Sequence, residues 1–151
     1  MTLSLLMAML AIAVPPEACD PAFRAEPQTH AFNYAAQIQP IWNQYCADCH
    51  VQHGGNPVMG LDLEPPFSRD NLVLVPSAQD PTVALVWPGQ PAISLLWLKL
   101  NCASPGPLQG GHQMPFGRPP LPLALQALVY DWIAAGAPVE VLLRDGFDER
   151  Q

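Results

Sequence analysis

The chain has 151 residues, of which 50% are hydrophobic and 13% charged; it carries 19 prolines and a formal net charge of -7. That length suits one domain with ample core, and the acidic balance excludes nucleic acid as a partner, because a phosphate backbone calls for a basic patch. Lys99 is the only lysine, so a lysine-ringed docking face is excluded as well, and any charge-steered partner must bring the basic surface itself.

Residues 1–18 read as a signal peptide or an apolar N-terminal segment. Leu3 to Val14 is almost wholly apolar, and Ala11-Ile12-Ala13 is a small-residue cleavage candidate. The run is about 12 residues, short of the roughly 20 that cross a bilayer. No Lys or Arg precedes it, so a buried or interfacial N-terminal helix stays open as the alternative. The signal reading places the mature chain in the bacterial periplasm or another exported compartment. The apolar segment also leaves a membrane-associated complex open.

Residues 19–29 read as an irregular arm whose prolines and lack of periodicity leave it little to bury. Cys19 has two uses open to it. One is a disulfide with Cys102 in an oxidising compartment; the other is a lipid anchor, for which Pro16-Glu17-Ala18 is a poor context.

From residue 30 the pattern becomes that of a folded domain running to residue 138. Ile38, Ile41, Trp42 and Tyr45 fall at i, i+3, i+4, i+7, one apolar helix face, with Pro40 near the start where its missing N–H costs least. That helix runs straight into Cys46-Ala47-Asp48-Cys49-His50. Two cysteines separated by two residues and followed at once by histidine read as a c-type haem attachment site. Thiols at that spacing can each form a thioether to one vinyl group of a haem, and the adjacent imidazole can ligate the iron. A thioredoxin-like dithiol shares the spacing but requires strand–helix α/β surroundings. A structural zinc site needs about four ligands, usually as two pairs, and neither Cys19 nor Cys102 belongs to a second pair. The motif occurs once, so one haem is expected.

A polar, glycine-rich loop follows from Gln52 to Gly60, in which His53 and Met59 are read as loop residues rather than ligands. Asn71 to Val75 is a short strand or a covering loop. Pro88-Gly89-Gln90-Pro91 opens a second helix, with Ile93, Leu96, Trp97 and Leu100 on one face and Asn101 and Cys102 at its end. Gly106 to Pro120 is a long loop too rich in glycine and proline for regular structure, and a loop that long in a small domain is usually functional. It carries Met114, the candidate second iron ligand, with Pro115 stiffening the backbone beside it; His112 is the alternative ligand. Leu125, Leu128, Val129, Trp132 and Ile133 form the stripe of a last helix, closed by Gly136 and Pro138. Residues 139–151 form a tail, half apolar and half charged, with no role assigned.

With these residues in place, the chain resembles the class I cytochromes c, close to the planctomycete-type cytochrome c domains. The resemblance rests on Phe32-Asn33-Tyr34 and Ile38-Gln39-Pro40-Ile41-Trp42 leading into the haem motif. Gly60-Leu61-Asp62-Leu63, Pro88-Gly89-Gln90-Pro91, Ser94-Leu95-Leu96, Lys99-Leu100, Met114-Pro115 and the closing Asp131-Trp132-Ile133 with Gly136-Ala137-Pro138 follow in the family's order. It implies an all-α fold, three to five short helices around one covalently attached haem c held by thioethers at Cys46 and Cys49, with His50 and Met114 on the iron. It further implies an electron carrier rather than an enzyme, passing single electrons between redox partner proteins. Trp42, Trp97 and Trp132 are expected either to wall the haem or simply to pack the helices. Gly110-Gly111-His112-Gln113 replaces a stretch where related domains often carry an arginine, and Arg118 is the candidate to take over its contact with a haem propionate. Two rivals from other classes remain: a haem-based sensor or small catalyst with a labile distal ligand, and a relay or structural subunit of a larger assembly.

Overall fold

The computed structural model describes residues 19–51, 56–102 and 111–141. The apolar segment within 1–18, His53, residues 103–110 with the first part of the long loop, and the end of the tail (142–151) lie outside the described residues. Within them the chain is mostly helical: α1 (Gln39–Tyr45), α2 (Ala47–His50), α3 (Leu95–Asn101) and α4 (Leu123–Ala134), with short 3-10 turns at Pro21–Ala25, Val58–Gly60 and Pro91–Ile93. It is not purely helical. Phe32–Asn33 (β1) and Glu140–Val141 (β2) pair antiparallel, Phe32 opposite Val141 and Asn33 opposite Glu140. The start of the tail is thereby stitched to the start of the domain.

α1 is entered through a wide π turn, Tyr34–Ile38, and Pro40 supplies the reason. Proline has no N–H for the usual bond and its ring crowds the carbonyl four residues back, so the preceding turn opens. Asn33 caps this turn: its Oδ1 accepts from Ala36 N–H at 2.9 Å, and Gln37 Oε1 accepts from Asn33 N–H at 2.7 Å. The two bonds satisfy orphan donors reciprocally, as in a capping box. At the other end of the domain, α4 closes as the sequence implies. Gly136 has φ of +96°, its N–H donates to Ile133 O, and Ala137 N–H donates to Trp132 O, both at 2.9 Å. These are the paired bonds of a Schellman cap.

The core joins Ile38, Ile41 and Trp42 of the first helical segment to Leu63, Leu72, Val86, Leu100, Val129, Trp132 and Ile133. The buried positions of α4 are Gln126, Ala127, Val129, Trp132 and Ile133, whereas Leu125 and Leu128 are half-buried. The expected stripe thus packs on the core, and the buried face is wider than it, because α4 touches both α3 and the arm and turns Gln126 and Ala127 inward as well. Gln126 meets the cost of burial by donating to Leu121 O (2.7 Å) and accepting from Asn101 Nδ2 (2.8 Å).

The arm departs from expectation. Far from having little to bury, it packs Phe23 against Trp97 and Tyr130, with ring centroids 4.6 and 4.9 Å away. Thr29 N–H donates to Asp131 Oδ2 at 2.7 Å, and a disulfide joins Cys19 to Cys102. Residues 19–29 therefore belong to the domain. Asn71 to Val75 forms no regular strand; it makes ladder-like bonds with residues 83–86, such as Leu74 N–H to Val86 O at 2.9 Å.

A buried polar chain crosses the centre. Trp42 Nε1–H donates to Tyr34 OH (2.9 Å), Tyr34 OH donates to Ser68 Oγ (2.8 Å), and Ser68 Oγ–H donates to Gln39 Oε1. Gln39 Nε2 then donates to Leu63 O and Asn43 Oδ1, each at 2.9 Å. Every member has a partner, so cutting the chain strands buried groups. Burial pushes the Tyr34 hydroxyl upward and keeps it protonated, the donor this order requires. Ser68→Ala, which leaves Gln39 Oε1 and the Tyr34 hydroxyl short of a partner, is expected to cost about 1–3 kcal/mol in denaturant unfolding. A loss under about 0.5 kcal/mol would show that the chain does not matter to the fold.

Candidate haem site

α1 ends where the motif begins. Cys46 is its C-cap, with N–H to Trp42 O at 2.9 Å, and α2 follows immediately, with Cys49 N–H and His50 N–H both directed to Cys46 O, at 3.2 and 2.9 Å. One short helical turn therefore carries both thiols and the imidazole. Both cysteines are free, Cys46 half-buried and Cys49 exposed. Burial first, and the neighbouring Cys49 second, pushes the Cys46 thiol up to about 12. A dithiol exchange enzyme needs the opposite, a depressed thiol that is thiolate near neutrality.

The histidine is oriented by the loop after it. Leu63 N–H donates to His50 O at 2.6 Å, and His50 Nδ1 lies 3.3 Å from Leu61 O. A carbonyl there accepts a hydrogen bond from Nδ1–H and leaves the Nε2 lone pair for a metal, the arrangement that metal-ligating histidines almost always use. The carbonyl is itself fixed by its neighbours. Gln39 holds Leu63 O, Asn71 Nδ2 donates to Asp62 O at 2.9 Å, and Asp62 Oδ1 accepts from Glu64 N–H at 2.9 Å. The buried chain through Tyr34 and Ser68 thus reaches the imidazole through two residues of loop.

Met114 is held by a different element. Its N–H donates to Lys99 O at 2.7 Å, and Gln113 Nε2 donates to Leu100 O at 3.2 Å. These are carbonyls of the last turn of α3, which have no partner inside the helix. The loop docks by capping them. Met114 is half-buried and packed on the apolar core. His112 instead is exposed, its ring 4.9 Å from Phe116. Of the two sequence candidates, Met114 is the one placed against the core. Met59 is exposed in its 3-10 turn.

Arg118 ties the methionine loop to the motif. Its guanidinium is paired with the Asp48 carboxylate at 2.5 Å, on the surface. Its partner thus lies within the attachment motif itself. Trp42, Trp97 and Trp132 are all buried by protein. The Trp132 indole N–H donates to Pro138 O at 2.9 Å, and Trp97 packs on Phe23 and Tyr130, so helix packing alone accounts for their burial.

Gln39, Ser68, Asn71, the Leu61 carbonyl and the Asp48–Arg118 pair escape the sequence reading. The one local signal was Gln39, a polar residue next to Ile38 and close to Ile41 and Trp42 on a helix that is otherwise apolar there. Among the described residues no group of three or more His, Cys, Asp or Glu side chains gathers as a metal centre, so a tetrahedral zinc site finds no ligand set among them. No helix among them is long and apolar enough to cross a membrane. No protein-family model, curated protein or solved structure matches the chain.

The donor set fits a covalently attached haem: two free thiols on one turn, an imidazole whose Nδ1 is engaged by a carbonyl, and a half-buried thioether on a separately anchored loop.

Proposed function

We propose that this chain is a monohaem cytochrome of the class I c type, exported to the periplasm, which carries single electrons between redox partner proteins and catalyses no reaction of its own. The observation that carries the reading is His50, placed directly after two free thiols with Nδ1 against the Leu61 carbonyl. A bound haem supplies reversible one-electron chemistry at its iron.

The chain's residues do the rest. Cys46 and Cys49 would tether the cofactor by adding each S–H across a vinyl double bond, which consumes no electrons and needs no thiolate leaving group. His50 would ligate through Nε2, and the Leu61 carbonyl would hold its tautomer and raise its basicity. Met114 would take the remaining position; methionine opposite histidine raises the potential and bars other molecules from the metal. The clamps on both ligands keep reorganisation small when an electron arrives. An acidic surface suits a basic partner.

Potentiometric titration of the mature protein tests this. The expected result is one reversible one-electron wave and a ferrous form that refuses carbon monoxide. Ready binding of carbon monoxide would favour the sensor or catalyst instead.

A further inference from the structure

We propose that the Cys19–Cys102 disulfide is a positioning element for Met114, so that a dithiol which opens it releases the distal ligand while the haem and the helices stay. The inference rests on the haem reading above. Cys102 is the C-cap of α3 and is fully buried. The two residues before Asn101 offer the carbonyls that hold Met114 N–H and Gln113 Nε2. α3 has seven residues, too few to keep its last turn by helix propensity alone. What ties that turn down therefore sets where the ligand loop sits.

That turn is tied to α4 by Asn101 Nδ2, which donates to Gln126 Oε1 at 2.8 Å, and to the arm at the disulfide. Beside it, Asp20 N–H donates to Asn101 O at 3.4 Å, and Asn101 Nδ2 donates to Asp20 O at 2.8 Å. The first of these bonds is long and the second ordinary; the disulfide is the covalent link between arm and helix end. Further along the arm, Phe23 is independently packed against Trp97 and Tyr130. Opening the disulfide thus loosens the end of α3 and leaves the arm and the core in place.

The chemistry is asymmetric. Cys19 is half-buried and Cys102 is fully buried, so an incoming thiolate attacks the Cys19 sulfur. The Cys19–Cys102 bond breaks, Cys102 leaves and takes up a proton, and the reductant's second thiol then displaces Cys19. The dithiol gives up two electrons and two protons and becomes a disulfide; the two cysteines become thiols.

The test uses mature holoprotein made ferrous with ascorbate, which leaves disulfides intact, and exposed to carbon monoxide with and without dithiothreitol. Without it the carbon monoxide-bound fraction should be near zero. After it, and in ascorbate-reduced Cys19→Ser without any dithiol, most of the protein should show the Soret shift of carbon monoxide binding. The pyridine haemochrome and the helical circular dichroism should be unchanged. Continued refusal of carbon monoxide once thiol labelling finds both cysteines free would overturn the proposal. So would a general loss of helicity, which marks the disulfide as structural only. Failure of the reading it rests on looks different: no haemochrome at all means no attached haem, and carbon monoxide binding before any dithiol is added means no methionine on the iron.

Discussion

Met114→Ala will leave the cofactor attached and the protein coloured, yet change what the iron does. The far-red charge-transfer band that marks sulfur on ferric iron will vanish, and the ferrous form will bind carbon monoxide. The potential will fall by an amount on the order of 0.1 V or more, within the roughly 0.8 V that axial ligands span. The substitution removes only a half-buried side chain from a loop whose backbone is held by Lys99 O, with Gln113 on Leu100 O beside it, so the loop itself should keep its place. Its stability cost should be near the lower end of the about 2–5 kcal/mol seen when a methionine is cut back to alanine in a core. A variant with unaltered spectrum and potential would show that the thioether does not reach the metal.

The double substitution Cys46→Ala, Cys49→Ala should have the larger structural effect. No covalent haem should form, and most of the helical circular dichroism should be lost. The reason lies in what the polypeptide leaves partly uncovered: Leu61, Leu96, Leu125, Leu128 and Met114 all pack on the core while remaining half-buried. Completing the burial of an aliphatic side chain is worth about 1 kcal/mol or somewhat more, and several together rival the whole stability of a small domain. The helices have little stability to contribute by themselves, since α1 and α3 have seven residues each and α2 four, well below the roughly 12–15 that stand alone. Full native helicity in the double variant would contradict this account of the core.

The parts legible in the sequence are those governed by local rules. The Cys46-to-His50 motif, the helix start around Pro40 and the Gly136 stop each depend on a few consecutive residues, and the structure places a helix boundary at each. Other features depend on neighbours distant in the chain. Phe23 looks like a lone aromatic in a proline-rich arm until Trp97 and Tyr130 join it in a three-ring cluster. Strands of two residues offer no alternation to detect, so the Phe32–Val141 pairing was invisible. The stripe of α4 was legible, whereas the burial of Gln126 and Ala127 beside it depends on contacts with α3 and the arm that no local pattern announces. Gln39, Ser68 and Asn71 reveal their use only when a loop from another part of the chain supplies Leu63 O and Asp62 O. The sequence left Cys19 with two uses open, and the structure joins it to Cys102.

The attachment of the cofactor is the point on which the rest depends. The mature protein should be purified from a host able to mature c-type cytochromes, then weighed intact under denaturing conditions. The account predicts a red protein whose mass exceeds that of the polypeptide by one haem and whose colour stays with the chain. A colourless product with the mass of the bare polypeptide would contradict it.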